Sequence, residues 1–239
     1  MPRFSVIIPA HNEEKFLPDC LEALERARER VEGEVETIVV LNRCGDGTEE
    51  IAKTFGARLV REDEANLSVI RNAGAAVAKG EMLVTCDADS RMHENTLVVV
   101  EAAIESGHWI GGGTVTLPER WSLGIICSIA ALLPYLAWYG VSFGLFWCRR
   151  ETFEELGGFD EKLLSVEDLH FARKLRALGK KKGKRFGTLV KTPLVTSCRK
   201  FDQFGDWYLV RQPRLVWRLF RGTDEAAAKA HWYETGRGS

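Results

Sequence analysis

The 239-residue chain is 28% charged and 45% hydrophobic, which excludes disordered and collagen-like classes and suits one sizeable core. With 33 Lys plus Arg against 34 Asp plus Glu, it is not a generally basic nucleic-acid binder either. The near-neutral total hides a segregation: residues 173–221 hold fifteen basic side chains against Asp202 and Asp206, a balance of +13, while the remaining 190 residues balance at −14.

Strand and helix signals alternate over the first 90 residues. A short apolar, β-branched run at 4–8 predicts a strand that ends at Pro9. Residues 14–30 place Leu17, Leu21 and Leu24 at helical spacing, and 35–41 form a second buried-type strand followed by a turn at 42–47. A helix is expected from Thr48, a third strand over 57–61, a helix over 67–78, and a fourth strand over 82–86 that runs into Asp87-Ala88-Asp89. This order predicts an α/β fold, a mostly parallel Rossmann-like sheet with helices on both faces. Ligands of such sheets bind beyond the carboxyl ends of the strands, where 9–13, 42–47 and 87–89 can converge.

The second half is less regular. Residues 93–106 predict a helix, and 109–117 a strand interrupted by Gly111-Gly112-Gly113. Residues 121–148 then run for 28 positions without a charge. Length alone admits a membrane span, but Gly124, Pro134, Gly140 and Gly144 break it up; a buried helix plus strand is preferred, with a membrane-surface element as the alternative.

Several short patterns carry chemistry. Two carboxylates two residues apart, Asp87 and Asp89, can share a hard cation whose open positions diphosphate oxygens fill; an Asp after a strand also serves as plain turn chemistry. Arg71, on the 67–78 helix, can fork two hydrogen bonds to a phosphate or carboxylate, or simply face solvent, with Gly74 permitting close helix–sheet packing. Asn12-Glu13-Glu14 opens the first helix as a cap, a ligand-holding loop, or both. Gly157-Gly158-Phe159-Asp160-Glu161 precedes Glu167-Asp168 at the start of another helix. A carboxylate there suits capping, and also general-base work if it faces the Asp87–Asp89 site.

In their order these pieces resemble family 2 glycosyltransferases, inverting enzymes with a GT-A nucleotide-sugar fold: Ser-Val-Ile-Ile-Pro-Ala-His-Asn-Glu-Glu, Arg-Asn-Ala-Gly, Asp-Ala-Asp, Gly-Gly-Phe-Asp-Glu, then Glu-Asp. The likeness covers roughly residues 4–180. It implies a GT-A domain over 1–200, with a nucleotide-binding half at 1–90 and an acceptor half at 91–200, followed by a helical, basic C-terminal extension over 201–239. Pro9, Ala10, Asn12 and Glu13, with the 42–46 turn, would cradle the nucleoside, and Arg71 would lie near the nucleotide. Asp89 would be the direct ligand of a divalent metal, Mg or Mn, with Asp87 also at the metal and nearer the ribose or donor sugar. Asp168 would be the catalytic base and Glu167 would help to place the acceptor. The family commonly carries an Asp-Asp-Gly-Ser type turn after the second strand; here the turn is Leu41-Asn42-Arg43-Cys44-Gly45-Asp46, which passes the base contact to Asn42. The Gln-x-x-Arg-Trp motif of processive members is absent, and Ser197-Cys198-Arg199-Lys200-Phe201 occupies a comparable place, with Arg199 and Lys200 able to contact the diphosphate. The implied partners are a UDP- or GDP-sugar and a hydroxyl acceptor, which could be lipid-linked.

Residues 203–222 predict a helix with Arg211, Arg214, Arg218 and Arg221 on one face and Trp207, Val210, Trp217 and Phe220 on another, delayed or bent by Pro213. Upstream, Lys180, Lys181, Lys182, Lys184 and Arg185 form a basic loop. Both can be solvated faces, or can be drawn to anionic lipid headgroups, a peripheral position on the inner face of the membrane. No nucleic-acid recognition motif accompanies the charge. Six cysteines without a C-x-x-C pair imply neither a zinc site nor a secreted disulfide framework, and the first apolar run is too short for a signal peptide, so a cytoplasmic setting is expected. Two rival functions stand beside glycosyl transfer. A sugar-phosphate nucleotidyltransferase would be expected to carry a Gly-rich loop after the first strand, where 9–13 has no glycine; a silent nucleotide-binding or membrane-associated protein has no need of Asp87, Asp89 and Asp168 together.

Overall fold

The computed structural model describes residues 1–139, 142–163 and 166–212. Every residue of β1 (Phe4–Ala10) is buried, because the strand has parallel neighbours on both sides. β2 (Val35–Leu41) pairs along its whole length, and β4 (Met82–Thr85) pairs from Phe4 to Ile7. Pro9 lies past the last β1–β4 pair, so its missing N–H interrupts no ladder there. β3 (Arg58–Arg61) pairs outside β2. Beyond β4 the sheet continues with antiparallel β7 (Phe143–Arg149), then β6 (Trp109–Pro118), β8 (Arg185–Thr196) and the short β5 (Ser90–Arg91). The resulting eight-stranded order is β3-β2-β1-β4-β7-β6-β8-β5, so both halves of the chain contribute to one sheet.

Alternation of apolar side chains along the strands builds a core on each face. Phe4, Val6 and Ile8 of β1, with Met82, Val84, Leu145 and Trp147, pack under α1 (Leu17–Arg28) and α4 (Thr96–Glu105). Ile7, Ile38, Val40, Leu83 and Phe146 face the other way, toward α3 (Leu67–Val77), α6 (Arg150–Leu156) and α7 (Glu167–Lys181). α2 (Thr48–Thr54) closes the β2–β3 crossover. The predicted packing role of Gly74 holds: a Cβ there would sit 2.5 Å from Ile7 Cγ2 and 2.8 Å from Val40 Cγ2. α3 therefore lies against β1 and β2 more closely than any larger residue permits.

Four expectations need correction. The first helix starts at Leu17, not at 14, and Asn12 does not cap it: Asn12 has φ 51 and accepts from the Gly45 amide at 2.8 Å. Residues 185–196, read from the sequence only as part of a basic stretch, form β8 in the middle of the second half of the sheet. The uncharged run divides into α5 (Leu123–Tyr139) and β7, as preferred, and no helix among the described residues is long and apolar enough to cross a membrane. α5 is not buried all round, however, since Leu123 is 68% and Leu133 55% exposed. Finally, the helix expected over 203–222 is interrupted: α8 (Arg199–Phe204) and α9 (Tyr208–Arg211) flank Gly205, whose φ of 84° ends the first of them. The expected domain boundary at 200 thus falls inside α8, and Pro213, Arg214, Trp217, Arg218, Phe220 and Arg221 lie outside the described residues.

The basic segment is not one surface. Lys180 to Arg185 stand at the start of β8, whereas Arg199 and Arg211 follow its end. β8 runs alongside the ten residues of β6 from Trp109 to Pro118, so at about 3.3 Å per residue it separates these groups by roughly 30 Å.

Candidate active site

The loops after β1, β2 and β4 meet at one edge of the sheet, as the strand order requires. Those after β1 and β2 are laced by hydrogen bonds. Besides the Asn12–Gly45 bond, the Glu13 amide donates to Thr48 Oγ1 at 2.8 Å and the Glu14 amide to Asp46 Oδ2 at 3.1 Å. Ala10 ends β1 buried, and its carbonyl accepts from the Asn42 amide at 2.8 Å. Asn42, expected at the base, is buried and spends its side-chain NH2 on the carbonyls of Glu62 at 2.5 Å and Glu64 at 2.9 Å. It thereby fixes the 62–64 segment beside the β2 turn.

Arg71 organises the other side of the site. Far from a solvated helix face, its side chain is 1% exposed. One guanidinium nitrogen reaches Asp87 Oδ1 at 2.8 Å; another reaches Glu167 Oε1 at 3.1 Å and Asp168 Oδ1 at 2.5 Å. The planar fork suits this task, holding three carboxylates from two distant segments at fixed angles. Burial opposes the charge, but Asp168, Asp87 and Glu167 outweigh it and raise the pKa of Arg71. Burial also pushes the Asp168 carboxyl up to about 8, with Arg71 pulling it down and Glu167 and Asp87 adding to the rise. The side chains of Asp87 and Asp168 are 37% and 21% exposed against 10% for Glu167, so the first two face the opening and Glu167 lies deeper.

The segment that delivers Glu167 and Asp168 is anchored by the Gly-Gly-Phe-Asp-Glu motif. Phe159 stacks on Phe171 with centroids 4.4 Å apart, and the Arg71 guanidinium lies 5.2 Å from the Phe159 ring. Asn72 accepts from the Phe159 amide at 2.9 Å and donates to the Phe159 carbonyl at 3.0 Å. Gly158, at φ 68°, leaves room for Asn72: a Cβ there would lie 2.5 Å from its Oδ1. Thus Arg71-Asn72 on α3 holds both ends of the approach to α7. Val166, at φ 56° immediately before Glu167, is a β-branched residue in the left-handed region, a local strain next to the site.

Asp89 has partners different from those of Asp87. Its Oδ2 accepts from Ser197 Oγ at 2.8 Å and lies 3.1 Å from Arg199 Nε. Arg199 also reaches both oxygens of Glu13, at 2.9 and 2.8 Å, and lies over Phe16. Lys200 follows on α8, half-buried. The sequence gives no hint of the Glu13–Arg199 contact, which spans 186 positions; the β-branched pattern of 185–196 was the signal available for β8.

Comparison with known proteins decides the family. Residues 5–157 match the profile of "Glycosyl transferase family 2". The chain belongs to that family. Among similar proteins, glycosyltransferase AglE of Haloferax volcanii is 26% identical over 194 residues, covering 75% of this chain and 63% of AglE. Undecaprenyl-phosphate 4-deoxy-4-formamido-L-arabinose transferase of Pseudomonas fluorescens is 30% identical over 119 residues, 45% of this chain and 34% of that protein. The chain therefore spans less than two thirds of either family member. The mannosyltransferase PcManGT from Pyrobaculum calidifontis, solved with GDP-Man and Mn2+, superposes with a TM-score of 0.67 at 20% identity, covering 95% of this chain and 64% of that one. The sheet and its flanking helices are accordingly those of the GT-A glycosyltransferases.

Proposed function

We propose that the chain transfers a sugar from a UDP- or GDP-sugar to an acceptor hydroxyl with inversion at the anomeric carbon. The observation that carries this reading is the Arg71 junction. It ties Asp87, on the donor side, to Asp168, a partly exposed carboxylate able to take a proton. Asp168 removes the proton from the acceptor oxygen as that oxygen attacks the anomeric carbon, and the bond to the nucleoside diphosphate breaks in the same displacement. Arg71 fixes the angle of the Asp168 carboxylate, and Glu167 steadies Arg71 from below. Pro9, Ala10, Asn12 and Glu13 shape the wall for the nucleoside, with Asn42 acting through the 62–64 segment. Arg199 and Lys200 supply positive charge for the departing diphosphate.

Asp87 and Asp89 have the hard oxygen donors that Mg or Mn prefers. Among the described residues no group of three or more His, Cys, Asp or Glu gathers there, so the remaining positions would fall to diphosphate oxygens and water. A divalent cation bound in that way supplies charge stabilisation to the leaving group. Titrating Mn2+ with UDP or GDP by calorimetry tests the assignment. Asp89→Ala should lose the metal-dependent part of nucleotide binding; an unchanged isotherm removes Asp89 from the metal role. Nucleoside diphosphate as the product supports transfer, whereas pyrophosphate favours nucleotidyl chemistry.

A lipid-linked acceptor is the second part of the proposal. Trp121, Leu123, Ile126 and Leu133 on or beside α5, and Phe204, Trp207 and Val210 around α9, are exposed large apolar side chains. They belong to elements that touch: a Cβ on Gly124 would meet Trp207 Nε1 at 2.9 Å. Such an apolar face, with Arg211 beside it, supports peripheral docking on an anionic membrane. The sequence's basic loop is in fact the last turn of α7 (Lys180, Lys181) and the short link to β8; it lies at the far end of that strand and adds no charge to this face. Co-sedimentation with phosphatidylglycerol vesicles should fall when Trp121 and Leu123 are both changed to Ser; equal binding by that variant ends the idea.

A further inference from the structure

Asp89 meets a positive charge of the chain's own. Arg199 Nε lies 3.1 Å from Asp89 Oδ2, the same oxygen that accepts from Ser197 Oγ. The rest of the guanidinium is held by Glu13, whose side chain is only 4% exposed, through two contacts from Nη1 to its oxygens at 2.8 and 2.9 Å. Phe16 covers the guanidinium, with its ring centroid 5.5 Å away. Glu13 itself is fixed, since its amide is bound to Thr48 Oγ1 and its carbonyl accepts from Phe16 and Leu17. The side chain of Arg199 is still 25% exposed, so it lies at the rim of the site rather than under it.

A hard cation and a guanidinium cannot both lie against one carboxylate oxygen without repelling each other. Glu13 gives Arg199 an anchor that survives release of Asp89, while a diphosphate would offer it a second anionic partner with the bidentate geometry that guanidinium favours. We infer that Arg199 is a displaceable counter-ion of Asp89: it occupies that carboxylate in the free protein and yields it when a divalent cation and a diphosphate arrive together. This inference rests on the reading of Asp87 and Asp89 as the cation pair. The arrangement makes cation and nucleotide binding mutually dependent, because the diphosphate draws off the group that competes with the cation, and the dependence must be equal in both directions.

The test is a set of Mn2+ titrations of the full chain, followed by electron paramagnetic resonance of free Mn2+, with and without UDP or GDP. For the wild-type chain Mn2+ alone should bind weakly, and the nucleotide should tighten it. In Arg199→Met, Mn2+ alone should bind roughly tenfold more tightly than in wild type, and the nucleotide should add less, changes within the usual range of site–site coupling. Arg199→Lys keeps the charge but cannot span Glu13 and Asp89 as a fork, so it should fall between the two; it also serves if the Met variant folds poorly. Mn2+ affinity in both variants equal to or weaker than wild type, in protein with a wild-type unfolding midpoint, overturns the counter-ion role while leaving the cation pair intact. If the wild-type chain shows no Mn2+-dependent nucleotide binding, the cation pair itself fails, and this inference falls with it.

Discussion

Asp168→Asn is expected to reduce sugar transfer by about a thousandfold, the middle of the range for loss of a positioned general base, while nucleotide binding stays near wild type. The amide keeps the shape of the carboxylate and can still accept from Arg71, but it has no lone pair basic enough to take the acceptor proton. The pH profile of the wild-type protein should carry the same signature. Burial lifts Asp168 to about 8, so a base that works only when ionised gains activity as pH rises through that region and loses it below. In kcat, measured with donor and cation bound, the inflection should lie lower, because nearby positive charge favours the carboxylate. Near-normal turnover by the Asn variant, or a kcat/KM profile that is flat from pH 6 to 9, removes Asp168 from the base role.

Arg71→Met should be the most destabilising single change in the site. It removes the cation that pairs with Asp87, Glu167 and Asp168 and leaves their carboxyl groups gathered around an apolar side chain. Breaking a buried ion group from one side typically costs about 3–5 kcal/mol, and a urea titration at pH 7.5 reads that loss directly. The cost should shrink as pH falls, because the carboxylates left without Arg71 take up protons in the folded state and cease to repel. Arg71→Lys should recover part of the stability and less of the activity, since an ammonium holds a point charge but not three carboxylates at set angles. A Met variant within 1 kcal/mol of wild type at pH 7.5 would contradict the hub role.

Much of the site was legible because its pieces are local. Asp87-Ala88-Asp89 follows an apolar run, and Glu167-Asp168 precedes one with helical spacing; residues adjacent in sequence keep that adjacency after folding. Arg71 was legible as a residue type but not as an environment. A lone arginine between Ile70 and Asn72 looks the same whether it faces water or three carboxylates, and only the packing of α3 on β1, made possible at Gly74, turns it inward. Asn12 and Asn42 show the same limit. Each was assigned to the ligand side of its loop, and each also has a backbone partner in another loop that the sequence did not announce: Gly45 for Asn12, and Glu62 and Glu64 for Asn42.

The sequence by itself determined the α/β architecture, the strand ends whose loops converge on one candidate site, and the order of motifs that marks family 2. Apolar periodicity and short motifs are encoded within a few residues, and side-chain pattern alone sets them. Only the tertiary structure decided which charges meet. Asp89 with Arg199, Glu13 with Arg199, and Asp87 with Asp168 through Arg71 are contacts across 110, 186 and about 80 positions, set by the strand order and not by spacing. The same topology also divided the positive stretch. With Lys180–Arg185 at one end of β8 and Arg199 at the other, one basic segment serves two separate surfaces.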